Sequence, residues 1–139
     1  MTHIEKTRQI IHAFLQGDIP AILERLAPDV EWEYGAISTD VPWYQARRGR
    51  AGAQAFFESL AAVEFLTFEP KAFLGEGELV VVMIDSDYRV RATGEVIRYT
   101  DVALVFRFDA AGRVAKFKHS IDTHQAWLAY HGADARNAA

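Results

Sequence analysis

Residues 96–121 read VIRYTDVALVFRFDAAGRVAKFKHSI, and the fold of this chain depends on how this stretch pairs with itself. β-Branched and aromatic residues dominate on both sides of the segment DAAG at 109–112, which has the composition of a turn. The stretch therefore predicts two antiparallel strands, 96–108 and 113–121, joined by a hairpin.

The same composition recurs just before this hairpin. Residues 65–74 and 78–91 are also rich in β-branched and aromatic residues, with turn signals in GEGE at 75–78 and TGE at 93–95. Together with the hairpin, these segments predict an antiparallel meander of four strands.

Helical periodicity replaces alternation in the first half of the chain. Thr2 and Glu5 form a capping box, and apolar residues recur at helical spacing behind it. Asp18 and Asp122 are each placed to cap a further helix. The elements predicted outside the meander are helices at 3–16, after Asp18, at 50–63 and after Asp122, a strand at 30–34, and a long loop at 35–49.

The order of these elements predicts the class of the fold. Helices come first and a long antiparallel sheet follows, which is typical of α+β proteins. A length of 139 residues without a linker or an internal repeat predicts a single domain over 1–139, in which 132–139 form a frayed tail.

The composition excludes several classes of function. The net charge is −4 and no basic stripe is present, which argues against nucleic-acid binding. The chain has no cysteine, so disulfides, thiol catalysis and cysteine-bound metals are excluded. No apolar run approaches the roughly 20 residues that span a bilayer, and the N-terminus does not read as a signal peptide, so the cytoplasm is the expected location.

Three segments carry a resemblance to a known family: FLQGDIPAILERLAPDVEWEY at 14–34, YQARRGRAGAQAFFESL at 44–60 and LVFRFDAAGRVAKFKHSIDTHQAWL at 104–128. They resemble the SnoaL-like members of the nuclear transport factor 2-like superfamily, whose relatives include ketosteroid isomerases, polyketide cyclases and limonene epoxide hydrolase. The resemblance implies a cone in which a bent antiparallel sheet wraps three helices, with a deep apolar pocket and a homodimer. Because this fold hosts unrelated chemistries, function depends on the residues of the site.

Ketosteroid isomerase chemistry is not supported by the residues of this chain. The tyrosine, the aspartate base and the protonated aspartic acid of those enzymes fall by similarity on Ile10, Tyr34 and Leu104. None of the three has the required side chain, so this activity is not expected.

Two other relatives place proton-transfer chemistry on the last strand. The general acid and base of the polyketide cyclases and one aspartate of the epoxide hydrolase fall at His119, a side chain suited to moving protons near neutral pH. The tyrosine and asparagine of the epoxide hydrolase fall at Trp32 and Tyr34, and its other charged residues fall near Asp85 and Asp87. The required arginine is missing, so that mechanism does not carry over intact.

Alternation along the last strand places Phe117, His119 and Ile121 on one face, which must be the interior because this set is the apolar one. The neighbouring strand offers the interior either the set that contains Leu104 or the set that contains Asp101, and a slip of one residue exchanges them. Maximal burial of apolar residues and the family pattern favour the set with Leu104.

A two-residue hairpin at Thr93-Gly94 then places Met83, Asp85 and Asp87 on the same interior face. A carboxylate near the imidazole of His119 would fix the tautomer of the ring, so we predict His119, Asp85 and Asp87 as the catalytic residues. Under the alternative register, Asp101 lies beside His119 instead. The predicted substrate-binding residues are Phe14, Trp32, Tyr34, Trp43, Phe57, Met83, Leu104 and Phe117.

Structural interpretations also fit these residues. His119 is compatible with a buried histidine that only hydrogen-bonds to backbone, and Asp85 and Asp87 are compatible with the solvated rim of a sheet. The spacing of His119 and His124 is a weak pattern for a metal site, because the two lie across a strand–helix junction. No metal and no cofactor are expected.

Two functions fit the pattern as a whole. The first is a small enzyme that uses His119 as general acid and base on a small apolar molecule, by hydrolysis, cyclisation, dehydration or isomerisation. The second is a non-catalytic module of the same fold that binds a small molecule or another protein. Neither nucleic acid nor a membrane is expected as a partner.

The other face of the sheet predicts an assembly. The same alternation places Val80, Tyr88, Tyr99 and Val105 on the outside, and an apolar and aromatic outer face needs a cover. A homodimer through this face is therefore expected.

Overall fold

The computed structural model describes residues 1–37 and 40–132 of the chain, so the predicted tail lies outside the described residues except for Gly132. The elements occur in the predicted order, with β2 as an addition. In chain order they are α1 (His3–Leu15), α2 (Ile19–Glu24), β1 (Leu26–Trp32), β2 (Arg47–Arg48), α3 (Gly49–Ser59) with a 3₁₀ turn (Leu60–Ala62), β3 (Val63–Glu76), β4 (Leu79–Val90), β5 (Val96–Phe108), β6 (Val114–Ser120) and α4 (Thr123–Tyr130).

The predicted helix caps are present. Thr2 and Glu5 form both hydrogen bonds of a capping box at the start of α1. The Asp18 side chain accepts from a backbone N–H in the first turn of α2, and Asp122 accepts from two backbone N–H groups at the start of α4. Each cap satisfies donors that a helix start otherwise leaves unpaired.

The described residues form one curled, open six-stranded sheet in the order β2-β1-β6-β5-β4-β3. The predicted α+β class and the antiparallel meander of β3, β4, β5 and β6 are confirmed. The sheet is mixed, however, because β1 pairs with β6 in parallel, with Trp32 opposite Phe117. A long crossover between the two strands permits this parallel pairing, which a short hairpin would not.

The concave side of the sheet holds the core. Along β4, residues alternate strictly between buried and half-buried positions, which is the pattern of a strand covered on one face. Helices α1 and α3 pack on that covered side, where α3 contacts β1 and α1 contacts β3. Among the described residues, no helix combines the length and the apolarity that crossing a membrane requires.

A β-bulge in β5 determines which residues of the meander face inward. Ile84 pairs with Val102 but Ser86 pairs with Tyr99, so β5 contains one more residue than β4 across this interval. At the bulge, Asp101 has a left-handed backbone conformation (φ 57°), and its backbone N–H donates to the Asp85 carboxylate at 3.0 Å.

The predicted register of the last two strands is confirmed, since Leu104 pairs with His119 and is buried. The predicted facing of β4 is wrong. The bulge shifts the pairing by one residue, so Met83, Asp85 and Asp87 lie on the outer face. The two strands are joined by residues 91–95 rather than by the predicted two-residue loop.

The predicted composition of the outer face is corrected by the same shift. Val80, Tyr88 and Tyr99 are buried on the concave side, whereas Val105 is half-buried on the outside. The aromatic residues that were expected to form a dimer interface therefore line the interior instead.

Candidate functional site

A cavity of about 100 Å³ lies between the concave face of the sheet and helices α1, α2 and α3. Most of its wall is apolar and aromatic, and Trp32 stacks on Phe117 with ring centroids 4.2 Å apart. Apolar protein cavities of roughly 150 Å³ take up single aromatic rings, so this cavity is somewhat smaller than a site for one ring. Its lining residues include Ile10, Phe14, Trp32, Trp43, Tyr44, Phe56, Phe57, Ser86, Tyr88, Tyr99, Leu104, Phe106, Phe117, His119 and Ile121.

Seven of the predicted site residues line this cavity, namely Phe14, Trp32, Trp43, Phe57, Leu104, Phe117 and His119. Tyr34 does not, because it follows the end of β1 and its ring contacts the ammonium groups of Lys116 and Lys118. Met83 is on the outer face of β4 for the reason given above.

Asp85 and Asp87 were expected beside His119 and are instead held in ion pairs on the outer face. Lys71 contacts Asp85 at 2.8 Å and Asp101 at 2.5 Å, while Asp87 lies 4.0 Å from Arg98. The Lys71 ammonium, with the backbone N–H of Asp101, holds the pKa of Asp85 below its ordinary value. The pKa of Lys71 is raised to about 12, most strongly by its hydrogen bond with Asp101 and next by its hydrogen bond with Asp85.

The carboxylate that does contact His119 belongs to Glu33, the residue after β1. Glu33 Oε1 accepts the backbone N–H of His119 at 2.7 Å and lies 2.9 Å from Nδ1 of the same residue. The backbone N–H of Glu33 in turn donates to the Phe117 carbonyl at 2.7 Å. Three contacts therefore hold Glu33 and the end of β6 in one arrangement.

Backbone geometry explains why Glu33 faces inward next to an inward-facing neighbour. Trp32 and Glu33 are 3% and 1% exposed, although consecutive residues of a strand point to opposite faces. Glu33 has φ 54°, a left-handed conformation that non-glycine residues adopt infrequently. This conformation ends β1 and turns the carboxylate under the sheet.

The contacts of His119 determine which ring nitrogen is available for chemistry. An ionised carboxylate only accepts hydrogen bonds, so the proton of a neutral imidazole here belongs on Nδ1. Nε2 is then an acceptor, and it makes no hydrogen bond with any residue that the structure describes. The side chain is 24% exposed and its ring packs edge-on against Phe117 at 4.8 Å. The arrangement can accept a proton from a molecule in the cavity.

The second oxygen of Glu33 is unusual because it is buried without a hydrogen-bond partner in the described part of the chain. Buried polar atoms in proteins are nearly always paired, and an unpaired one is costly. This oxygen therefore retains its capacity to accept a hydrogen bond.

A second polar cluster lies farther along the cavity and consists of Trp43, Tyr88 and Tyr99. Trp43 Nε1 donates to the Tyr88 hydroxyl at 3.3 Å, and the Tyr99 hydroxyl donates to the Asp122 carbonyl at 2.7 Å. Burial raises the pKa of Tyr88 to about 12 and also raises the pKa of Tyr99. Burial, with a contribution from the charge of Glu33, raises the pKa of Tyr44 as well. These phenols are therefore neutral hydrogen-bonding groups.

Comparison with known proteins identifies the family. The family model described as a SnoaL-like domain matches residues 7–117, which is most of the chain. The chain belongs to the SnoaL-like domain family. No curated protein sequence matches this SnoaL-like chain.

Solved structures similar to this SnoaL-like domain share its fold. A nuclear transport factor 2-like protein of Burkholderia xenovorans is 25% identical, with a TM-score of 0.79 over 92% of this chain and 95% of that one. TerC, crystallised with polyporic acid, is 22% identical, with a TM-score of 0.72 over 93% and 98%. A Mesorhizobium loti protein that carries the provisional name of a SnoaL-like polyketide cyclase is 17% identical, with a TM-score of 0.69 over 86% and 99%.

Glu33 and Tyr88 are among the residues of this SnoaL-like site that sequence reasoning missed. Strict alternation along VEWEY at 30–34 puts Glu33 on the face opposite Trp32, and a continuous hairpin puts Tyr88 outside. The available signal for Glu33 was a carboxylate enclosed by aromatic residues and followed by Gly35, because a turn at that point breaks the alternation.

Proposed function

We propose that this SnoaL-like protein is an enzyme that moves protons on a small apolar molecule, with His119 as the general acid and base. The observation that carries this proposal is the buried carboxylate of Glu33, which binds Nδ1 and the backbone N–H of a histidine that lines an apolar cavity. Asp85 and Asp87 have no part in the proposed chemistry.

Each group has a defined role in the proposed reaction. Nε2 of His119 accepts a proton from the bound molecule and returns it to another atom of that molecule or to its product. Glu33 is a positioning residue, since it holds the ring in the tautomer that leaves Nε2 unprotonated and stabilises the imidazolium that forms. The aromatic wall excludes water, which strengthens the interaction between the two charges.

Relatives support the reaction class without defining the substrate. TerC was crystallised with polyporic acid, so a protein of this fold takes a small molecule. The provisional polyketide cyclase name of the Mesorhizobium loti protein points to cyclisation. Another structure of this fold, from Rhodopseudomonas palustris, carries a provisional isomerase name. Cyclisation and isomerisation are commonly catalysed by a group that takes up and returns a proton, as His119 does in this proposal.

The test begins with a search for turnover and ends with one substitution. A panel of aromatic ketones is incubated with the protein in deuterated water, and incorporation of deuterium at carbon is measured by mass spectrometry. His119→Asn keeps the size and hydrogen bonding of the side chain but cannot carry a proton, so turnover should fall by about 10²–10⁴-fold. His12→Asn, on the exposed side of α1, is the matched control and should retain full activity. A His119→Asn variant as active as the natural protein would refute the catalytic role.

A non-catalytic module is the second candidate, and the packing of the protein's own aromatic rings at the edge of the cavity favours it. At about 100 Å³ the space is small, and the rings of Phe14, Phe65 and Phe68 contact one another at its edge. Under this alternative, His119→Asn changes ligand affinity by a small factor and there is no turnover to lose.

The assembly and the location of the protein are also proposals. We propose a homodimer that uses the outer face of the sheet and a cytoplasmic location, as expected from the sequence. The support for the dimer is an apolar strip on that face, which is formed by Ala72, Leu74, Val81, Met83, Ala103 and Val105.

A further inference from the structure

We propose that Phe65 is a movable gate to the cavity, and that its ring limits both the size of a molecule that enters and the rate at which that molecule enters. The inference goes beyond the proposed function and rests on it in one respect, namely that the cavity takes up a small molecule. It concerns how the molecule gets in, whereas Glu33 and His119 act on a molecule that is already bound.

The size of the cavity requires that part of its wall moves. Its volume is about 100 Å³, whereas an apolar protein cavity that binds benzene has about 150 Å³. Protein interiors are densely packed, so small adjustments spread over the whole wall do not supply the missing space. At least one lining side chain must therefore leave its place when a molecule of one ring or more enters.

Phe65 is the described lining residue that is most open to water. It is 38% exposed, whereas the other described lining residues are buried or half-buried. His119 is also partly exposed, but hydrogen bonds from Glu33 to its backbone and its ring hold it in place. Side chains at the surface change rotamer freely, so outward rotation of the Phe65 ring opens the cavity to solvent.

The backbone around Phe65 adds to this freedom. β3 is an edge strand of the described sheet and pairs only with β4. Phe65 pairs with Tyr88 and Thr67 pairs with Asp87, so Leu66 is the extra residue of a β-bulge. A bulge leaves one residue unpaired and bends the strand. The ladder is therefore interrupted directly beside the proposed gate, on a strand that has a single neighbour.

Aromatic contacts hold the gate closed. The Phe65 ring meets the rings of Phe14 and Phe68 edge-on, at 5.7 and 6.1 Å, and lies 5.8 Å from the ring of Tyr88. Phe65 and Phe68 both line the cavity although they are three residues apart, because the bulge lies between them. Each aromatic pair contributes modestly, so a closed and an open position of the ring are close in free energy.

Exposed apolar residues adjoin the gate. Leu15 follows Phe14 at the end of α1 and is 51% exposed, and Leu66 follows Phe65 and is 41% exposed. Exposed apolar surface beside an opening is typical of a ligand-binding groove. A small apolar molecule that leaves water therefore meets an apolar surface before it reaches the ring of Phe65.

Benzene and naphthalene test the gate, because neither has a polar group and they differ by one ring. Association rates and affinities are measured by NMR line-shape analysis of the methyl signals of Leu104, which lines the cavity. Phe65→Ala should raise the association rate of benzene by about 10- to 1,000-fold, the inverse of an open population of roughly 0.1–10%. Naphthalene should gain more affinity than benzene, because the variant leaves room for the second ring. Phe65→Trp, with a larger ring, should slow association.

Matched variants separate the gate from other effects. Leu66→Ala removes apolar bulk from the next residue, which is not part of the described cavity wall, and should leave the rates unchanged. If Phe65→Ala does not fold, Phe65→Leu serves as the second variant and should give a smaller increase. His119→Asn should bind both hydrocarbons at the rates of the natural protein, so failure of the catalytic proposal leaves this result intact.

The assignment fails if Phe65→Ala takes up benzene at the rate of the natural protein, or if Leu66→Ala accelerates uptake equally. An equal gain in affinity for the two hydrocarbons would contradict the role of Phe65 in size selection. Absence of benzene binding by both the natural protein and Phe65→Ala at millimolar concentration would also overturn it, and is the result expected of a module whose cavity stays filled by its own rings.

Discussion

At the scale of single residues, Glu33 shows how one backbone conformation builds a site. A strand that continued its alternation through residue 33 would place this carboxylate away from the core, and His119 would have no partner. With φ 54°, Glu33 instead reaches both the backbone and the ring of His119. The strain of an uncommon conformation and an unpaired carboxylate oxygen is retained where the proposed chemistry takes place.

Replacing Glu33 by glutamine tests its positioning role. The amide has the shape of the carboxylate but no charge, so it neither stabilises an imidazolium nor selects the tautomer as strongly. We expect turnover of an identified substrate to fall by at least about tenfold, and the NMR signal of the His119 ring Nδ1–H to shift. Glu31→Gln, two residues earlier on β1 and in exposed pairs with Arg48 and Lys116, is the control and should change neither. An unchanged ring signal and unchanged turnover in Glu33→Gln would contradict the role.

The buried phenol of Tyr88 predicts a loss of stability at alkaline pH. Its pKa is raised from 10.0 to about 12 by burial, so the folded state binds this proton more tightly than the unfolded state. The resulting stabilisation is complete below pH 10 and is lost as the pH rises towards 12, and it amounts to something on the order of 2–3 kcal/mol. Lys71 contributes with the same sign, since its pKa is also raised.

Denaturant unfolding at a series of pH values measures this effect. The natural protein should lose stability between pH 10 and 12, and Tyr88→Phe should show a shallower decline because one titrating group is gone. Identical slopes for the two proteins would show that Tyr88 titrates normally in the folded state.

At the scale of elements, the bulge in β5 is the feature with the widest effect. One extra residue at Asp101 brings Val102, Leu104 and Phe106 onto the same face as the inward residues of β4. Without it, one of the two strands would present its polar face to the core. The Asp85 carboxylate supports the bulge by accepting the backbone N–H of Asp101.

Substitutions at Asp101 test the importance of its backbone conformation. Glycine adopts a left-handed conformation at no steric cost, so Asp101→Gly should leave the free energy of unfolding nearly unchanged despite the loss of the exposed pair with Lys71. The β-branched Asp101→Val should destabilise the fold by about 1–2 kcal/mol. Thr100→Val is the neighbouring control and should have little effect. Equal stabilities of the Gly and Val variants, measured by denaturant unfolding, would count against this account.

The elements were predictable from the sequence because each has a strong local pattern. Caps at Thr2, Asp18 and Asp122 and the alternation of the meander depend on neighbouring residues alone. Which residues of β4 face inward was not predictable from the sequence. The bulge in β5 lies at Asp101 rather than at a glycine, and it changes only the pairing between the strands. Glu33 was missed for the same kind of reason, since a single left-handed residue leaves little trace in a pattern.

At the scale of the whole molecule, the outer face of the sheet is where assembly is expected. The apolar strip crosses β3, β4 and β5, with Leu74 opposite Val81 and Val81 opposite Val105. Leu74 is 59% exposed in the single chain. The Lys71, Asp85 and Asp101 cluster lies at the edge of the strip, where charged groups are typical of an interface rim.

A charge placed in the strip tests the proposed dimer. Val81→Glu should raise the dissociation constant of the dimer by about 30-fold or more, because it buries an unpaired carboxylate. Leu15→Glu, at an exposed apolar position on α1, is the matched control. Sedimentation equilibrium would measure both variants, and a natural protein that sediments as a 15.6 kDa monomer at high micromolar concentration would exclude the dimer.

The parallel pairing of β1 with β6 has a consequence for the order of events during synthesis. Glu33 and His119 are separated by 86 residues, so the pair forms only after nearly the whole chain has left the ribosome. Helices α1–α3 and strand β1 can form earlier, with the Glu33 carboxylate still exposed to water. Contacts of such long range form late in folding, because closing a large loop is entropically unfavourable. Any chain that ends before β6 therefore lacks the histidine and its partner strand, and the carboxylate has nothing to orient.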